Sequence, residues 1–158
     1  MRLTALMAGA VLVAMPLGAF AGDVSVERGR QVSMIGGCND CHTVGYNESG
    51  GQIDPKTALK GNTVGWQGPW GTTFPANIRL IVQGKTEDEF VKYAKTFKTR
   101  PPMPYYNVNA LDESDLRSLY QYVKSLGDPG DPAPEAVPPG VEPKFPFVVL
   151  VPPQMPKS

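Results

Sequence analysis

The chain has few of the residues from which most metal, redox and catalytic sites are built. Among its 158 residues there are two cysteines and one histidine. A closed zinc site needs four Cys, His or carboxylate ligands, usually with a second Cys or His pair, and none is available. Two histidines on one metal are impossible within the chain, and no Ser/His/Asp set or phosphate loop can be assembled. Charge of one sign is also missing, since 15 basic residues face 15 acidic ones. Nucleic acid as a partner would call for a basic surplus.

What the chain does contain is concentrated. Both cysteines and the histidine fall in Cys38-Asn39-Asp40-Cys41-His42, the C-x-x-C-H arrangement that attaches a c-type haem. Each thiol adds across a porphyrin vinyl group to give a thioether, and the two-residue spacing lets both sulfurs reach one macrocycle. His42 then lies under the iron as proximal ligand. A redox dithiol would follow a strand at the start of a helix, whereas the segment before Cys38 reads as a helix with no strand ahead of it.

The N-terminus agrees with this chemistry. Met1-Arg2 is followed by an apolar stretch from Leu3 to Leu17, broken by Gly9 and Pro16, and by Ala19-Phe20-Ala21, an A-x-A cleavage pattern. We expect a signal peptide over 1–21 and a periplasmic mature chain beginning near Gly22. An uncleaved anchor is the alternative, but the stretch is short for a span of about 20 residues. Without Arg2 the balance is 14 basic to 15 acidic, and no integral membrane span remains.

Along the mature chain, a first helix is expected from Ser25, with Glu27 in its first turn and Val26, Val32, Met34 and Ile35 as its apolar residues, ending at Gly36-Gly37. From Thr43 to Gly84 the periodicity is lost. Trp66, Trp70 and Phe74 make disorder unfavourable there, so this stretch is read as wrapping a haem, with short helical turns near Asp54 to Leu59. A second helix begins at Thr86, where Thr86 and Glu89 form a capping box, and carries a stripe of Phe90, Tyr93, Ala94 and Phe97 opposite solvated Lys92, Lys95 and Lys98. A third starts around Asp112 and presents Leu116, Leu119, Tyr120 and Val123. Gly127 stops it, and its apolar face should pack on the first helix.

Beyond Gly127 the composition changes, with ten of the 17 prolines at or after position 129. That density excludes helix and favours extended backbone. The run Phe145-Pro146-Phe147-Val148-Val149-Leu150-Val151 is too apolar for a solvated linker and should pack on the domain or on a partner. The expected layout is a cytochrome domain over 22–127 and a Pro-rich extension over 128–158.

The far side of the iron needs a ligand other than histidine. Of the methionines after residue 21, Met34 lies on the helix leading into the motif and reads as core, and Met155 is in the terminal tail. Met103, in Arg100-Pro101-Pro102-Met103-Pro104, is held by prolines between the second and third helices and is the expected sixth ligand. His/Met ligation saturates the iron and raises its reduction potential.

From about Val24 to Gly127 the chain resembles the class I c-type cytochromes, through Cys38-x-x-Cys41-His42, the Met103 loop and the terminal helix from Leu111 to Leu126. It is most similar to the haem domains in cytochrome subunits of membrane-bound alcohol-type dehydrogenases, which carry runs like Gly71-Thr72-Thr73-Phe74-Pro75-Ala76-Asn77-Ile78 and Pro102-Met103-Pro104-Tyr105. Those subunits commonly hold several haem domains, and this chain has one. Their Asn-Ile pair is usually followed by Thr-Pro-Asp, whereas Arg79-Leu80 follows here. The resemblance implies an all-α, cytochrome c-like domain around one covalent haem c. It also implies thioethers at Cys38 and Cys41 and axial ligands His42 and Met103. Trp70 and Asn77 are candidate hydrogen-bond donors to haem propionates; the competing view is that Trp70 packs on the ring and Asn77 caps a turn.

The expected function is that of a periplasmic mono-haem carrier, not an enzyme. It would pass single electrons from a dehydrogenase to a downstream cytochrome or oxidase. Two alternatives stand beside it: a dedicated subunit of one dehydrogenase, docked through its apolar tail, and a haem enzyme or gas sensor with a labile sixth ligand.

Overall fold

The structure, a computed structural model, describes residues 22–153 and 156. The expected signal peptide over 1–21 and Met155 lie outside the described residues. In chain order the elements are α1 (Val26–Ile35), α2 (Cys38–His42), β1 (Gly65–Gly68), β2 (Gly71–Thr73), α3 (Ile78–Gln83), α4 (Glu87–Thr96), α5 (Tyr105–Ala110), α6 (Glu113–Ser125) and β3 (Phe147–Val149).

α1 begins where the Ser25 hydroxyl accepts the Arg28 amide at 3.1 Å and ends at Gly36. Its inward face is not the expected one. Gly29, Val32 and Ser33 are buried, while Val26, Met34 and Ile35 face solvent, Ile35 at 74% exposure. The reason is backbone proximity. A Cβ on Gly29 would stand 1.9 Å from the Ser118 carbonyl oxygen and 2.7 Å from Tyr122 Cβ, so α1 and α6 cross with backbone against backbone. The Ser25 amide donates to the Ser118 hydroxyl at 3.2 Å. Arg28 grips Asp115 through two nitrogens at 2.7 and 2.9 Å, which fixes the rotation of one helix on the other.

α6 presents Leu116, Leu119, Tyr122 and Val123 to the core, and its acidic first turn and Lys124 near its end complement the helix dipole. As expected, it packs on α1, and also on α3 and α4. α4 starts at the expected capping box: Glu89 accepts from the Thr86 amide at 2.8 Å, and the Thr86 hydroxyl accepts from the Glu89 amide at 3.3 Å. Phe90, Val91 and Ala94 close the same core, and Lys92, Lys95 and Lys98 are exposed.

The architecture is helical, but the all-α expectation needs correction. A three-stranded sheet, ordered β2-β1-β3, takes two strands from the stretch read as loop and one from the tail. β1 and β2 form a tight hairpin in which Gly68 opposes Gly71, and β3 from the tail pairs with β1 in parallel, Gly65 opposite Phe147. Strands of four and three residues show too little alternation for a period of two to be read. α3 and α5, six residues each, escaped for the same reason. Near Asp54 to Leu59 the expected short turns are present, with the Ala58 amide donating to Asp54 O at 2.9 Å.

Arg79 holds this irregular half together. It is buried, and its guanidinium donates to the carbonyls of Ala58 at 2.7 Å, Pro55 at 2.5 Å, Leu126 at 2.8 Å and Asp128 at 3.0 Å. A buried cation is tolerable when every face of it is hydrogen-bonded. The apolar run of the tail packs on the domain through β3, and Phe74 meets Phe145 edge to face at 6.0 Å.

Gly29→Ala should gain up to about 1 kcal/mol in helix propensity and lose more through overpacking, which typically costs about 1–3 kcal/mol. Denaturant unfolding should show net destabilisation; an unchanged midpoint would contradict the α1–α6 contact. Hydrogen bonds from Thr86 hold the Glu89 carboxyl below its ordinary value. Its contribution is therefore complete above the unfolded-state value and lost as pH falls through the folded one. The stability gap between wild type and Glu89→Ala should close on acidification, as read from thermal unfolding against pH.

Candidate metal centre

α2 is a single turn made of the motif, and it packs on α1. Cys38 and Cys41, three residues apart, lie on one side of that turn, and both are free thiols. Burial pushes the Cys38 thiol up to about 11, with Asp40 adding to the effect; burial and then Asp40 raise Cys41 as well. Both are therefore protonated at neutral pH. Asn39, between them, is fully buried. Its amide donates to the Ser33 carbonyl and hydroxyl, both at 3.3 Å, and its Oδ1 accepts from the Thr43 hydroxyl at 2.8 Å. The Thr43 oxygen in turn accepts the Leu59 amide at 2.9 Å. The motif is thereby fixed to α1 on one side and to the long loop on the other.

His42 is buried, and its Nδ1 lies 2.7 Å from the Ala76 carbonyl oxygen. A carbonyl can only accept, so Nδ1 carries the proton and Nε2 keeps its lone pair for a metal. Burial lowers the imidazole pKa, opposed by the Ala76 bond, and the neutral form is the ligating one. The carbonyl is held in place by its own surroundings: the Gly61 amide donates to His42 O at 2.9 Å, Asn62 to Pro75 O at 3.1 Å, and Ile78 to Leu59 O at 3.0 Å.

Ala76 also lines a cavity of about 690 Å³, together with Thr73, Phe74 and Asn77, the Lys98–Arg100 segment, and Pro132, Ala133, Pro134 and Ala136 of the tail. That volume falls among ligand sites, which span roughly 300–1,000 Å³. Cys38, Cys41, His42 and Met103 are not in its lining. His42 is bonded through Nδ1 to the carbonyl of Ala76, one of the lining residues, and Met103 lies three residues beyond Arg100, another of them. Met103 is half-buried, and its carbonyl accepts the Tyr105 amide at 2.9 Å. Tyr105 meets Phe97 edge to face, and Phe97 stacks on Tyr93 of α4, which ties the loop to that helix. Met34, the other described methionine, is exposed on α1.

Two buried polar atoms have no partner among the described residues: Trp70 Nε1 and Thr73 Oγ1. An orphaned buried donor costs about 1–3 kcal/mol, so each marks a place for an absent acceptor. Trp70, whose indole lies over Gly68 at the tip of the hairpin, was legible in the sequence. Thr73 was not, because a threonine in a short strand carries no signal. Asn77 is differently employed. Its Oδ1 accepts the Leu80 amide at 3.2 Å and caps α3, and its Nδ2 donates to Pro129 O at 2.7 Å and Asp131 O at 2.9 Å. Both amide protons are engaged by the tail, so in this arrangement Asn77 has none for a propionate.

The family model described as Cytochrome c matches residues 26–127, from α1 to the glycine that follows α6. The chain belongs to the cytochrome c family. No curated protein and no solved structure gives a match. Proteins of the cytochrome c family bind haem c covalently and carry electrons. The residues here fit that group: paired free thiols, an imidazole whose Nδ1 is held so that Nε2 keeps its lone pair, and two buried polar atoms without partners among the described residues.

Trp70→Phe keeps the ring and removes the donor. A propionate that loses a hydrogen bond ionises at higher pH. The pH at which the reduction potential of the haem-loaded protein begins to vary should therefore move up, as read by potentiometric titration. An unmoved profile would show that Nε1 does not face a propionate.

Proposed function

We propose that the protein is an exported mono-haem c-type cytochrome that takes single electrons from a dehydrogenase and delivers them to a downstream cytochrome or oxidase. The observation that carries this reading is the His42 imidazole, held by the Ala76 carbonyl at 2.7 Å with Nε2 free, directly after two free thiols on one helical turn. Cys38 and Cys41 would form the thioethers, His42 and Met103 would ligate the iron, and Trp70 and Thr73 would donate to the propionates.

Haem supplies a one-electron iron couple. The chain's part is to hold it, to fill both axial positions and to limit water. With His42 and Met103 both serving as ligands, no position would remain open for a substrate, which favours transfer over catalysis. The sequence over 1–21 supports export to the periplasm. Among the described residues no helix is long and apolar enough to cross a membrane. The likeness to cytochrome subunits of alcohol-type dehydrogenases, in the hairpin-to-α3 run and in the Met103 loop, supports a dehydrogenase as donor. Exposed Phe145, Phe147, Val148 and Val149 favour a lasting association with it as the second reading.

Met103→Ala separates transfer from ligand chemistry. The wild-type reduced spectrum should be unchanged by carbon monoxide. The variant should lose the long-wavelength absorption of methionine-bound ferric haem, bind carbon monoxide and show a lower potential. Rapid carbon monoxide binding to the wild type would overturn the His/Met assignment and leave a sensor or enzyme.

A further inference from the structure

The small sheet has two edges, and only one is covered. At the β2 edge, Thr72 and Val137 exchange backbone hydrogen bonds at 2.8 and 2.9 Å. β3 is the other edge. Pro146 O accepts the Gly65 amide and the Leu150 amide donates to Gln67 O, both at 2.8 Å. With Val148 opposite Trp66, the backbone groups aimed at β1 are those of Pro146, Val148 and Leu150. Those of Phe147 and Val149 point outward, and nothing among the described residues takes them up. Charge is a usual guard on such an edge. Here the run from Phe145 to Val151 carries none, and all three residues of β3 are exposed.

We propose that β3 pairs edge to edge with β3 of a second copy of this chain, antiparallel about a two-fold axis at Val148, to give a weak dimer. The edge itself points to this occupant. Val148 is the midpoint of the uncharged run over 145–151, so a two-fold axis there overlaps the whole run with itself. Phe147 then stands opposite Val149 of the second copy. Each outward N–H meets an outward carbonyl, and four hydrogen bonds close with no other molecule. An identical strand is not repelled, because like charges are missing, and the same lack leaves the edge nothing with which to select a charged partner. Phe147 and Val149 also line a groove of about 610 Å³ with Pro139, Val141 and Val151, and the pairing sets the same two side chains of the second copy on that face. Assembly stops at two, since β3 has one free edge and the β2 edge is covered. Strands of three residues bury less than a standard interface, which makes the dimer weak.

The test is sedimentation velocity on the full haem-loaded chain over about a hundredfold range of concentration. The wild type should move from monomer toward dimer as concentration rises. Val148 is 45% exposed, so the fold can accept a charge there, and in the dimer the residue stands opposite its own copy. Val148→Lys and Val148→Glu should each weaken association about fivefold or more, and an equimolar mixture of the two should restore it. Val149→Pro removes an outward N–H that makes no bond to β1, and it should weaken association at an unchanged far-ultraviolet circular dichroism spectrum. A wild type that stays monomeric over the whole range would overturn the proposal and leave the edge to a strand of another protein. A dimer that survives both Val148→Lys and Val149→Pro would place the contact on a different face. A mixture of the two charge variants that remains monomeric would overturn the two-fold register.

Discussion

An imidazole offers one nitrogen to a metal only when the other is occupied, and the partner of that second nitrogen fixes the ring's tautomer and direction. Here the partner is the backbone carbonyl of Ala76, 34 residues along the chain. Much of the irregular half of the molecule can be understood as the means of holding that carbonyl still. Leu59 O takes the Ile78 amide, Pro75 O takes the Asn62 amide, and His42 O takes the Gly61 amide. The loop on either side of Gly61 is thus laid between the motif and the segment that supplies the acceptor. A displacement of either segment would turn the imidazole, since the ring has no other hydrogen bond among the described residues.

The regular half supplies the fixed support. α2 is too short to stand alone, because one turn of helix closes too few hydrogen bonds to offset the ordering of its residues. It is stable as a continuation of α1, to which Asn39 ties it through Ser33, and α1 is locked on α6 by the close approach at Gly29. The small residues Gly29, Ser33 and Ser118 lie where the two helices meet, and their small size lets the polar groups of both backbones and of Asn39 be satisfied.

These features explain what could be read in the sequence. α4 and α6 were legible because each runs for ten residues or more with an apolar stripe and an acidic first turn. The extent of α1 was legible from Ser25 and the glycine pair, but its buried face was not. Periodicity arguments weigh large apolar side chains, and this face is selected by the absence of a side chain at Gly29. The attachment motif was legible because only one arrangement of the two cysteines and one histidine exists. The acceptor of His42 was not, since a backbone carbonyl leaves no mark in the sequence. Nor was the hairpin legible, where Thr73 adds a donor that composition cannot distinguish from any other threonine.

The start of α3 and the turn entering it join several parts of the molecule within four residues. Ala76 holds the imidazole, Asn77 caps the helix and holds the tail, and Arg79 binds both the end of α6 and the start of the tail. Asn77 and Arg79 have buried polar groups that need partners, and the tail's carbonyls are among those partners. Withdrawing the tail would therefore leave unpaired groups beside the very carbonyl that orients His42. The extension and the metal-ligand geometry are coupled through this turn, by hydrogen bonds that each side requires of the other, although no residue of the extension belongs to the attachment motif.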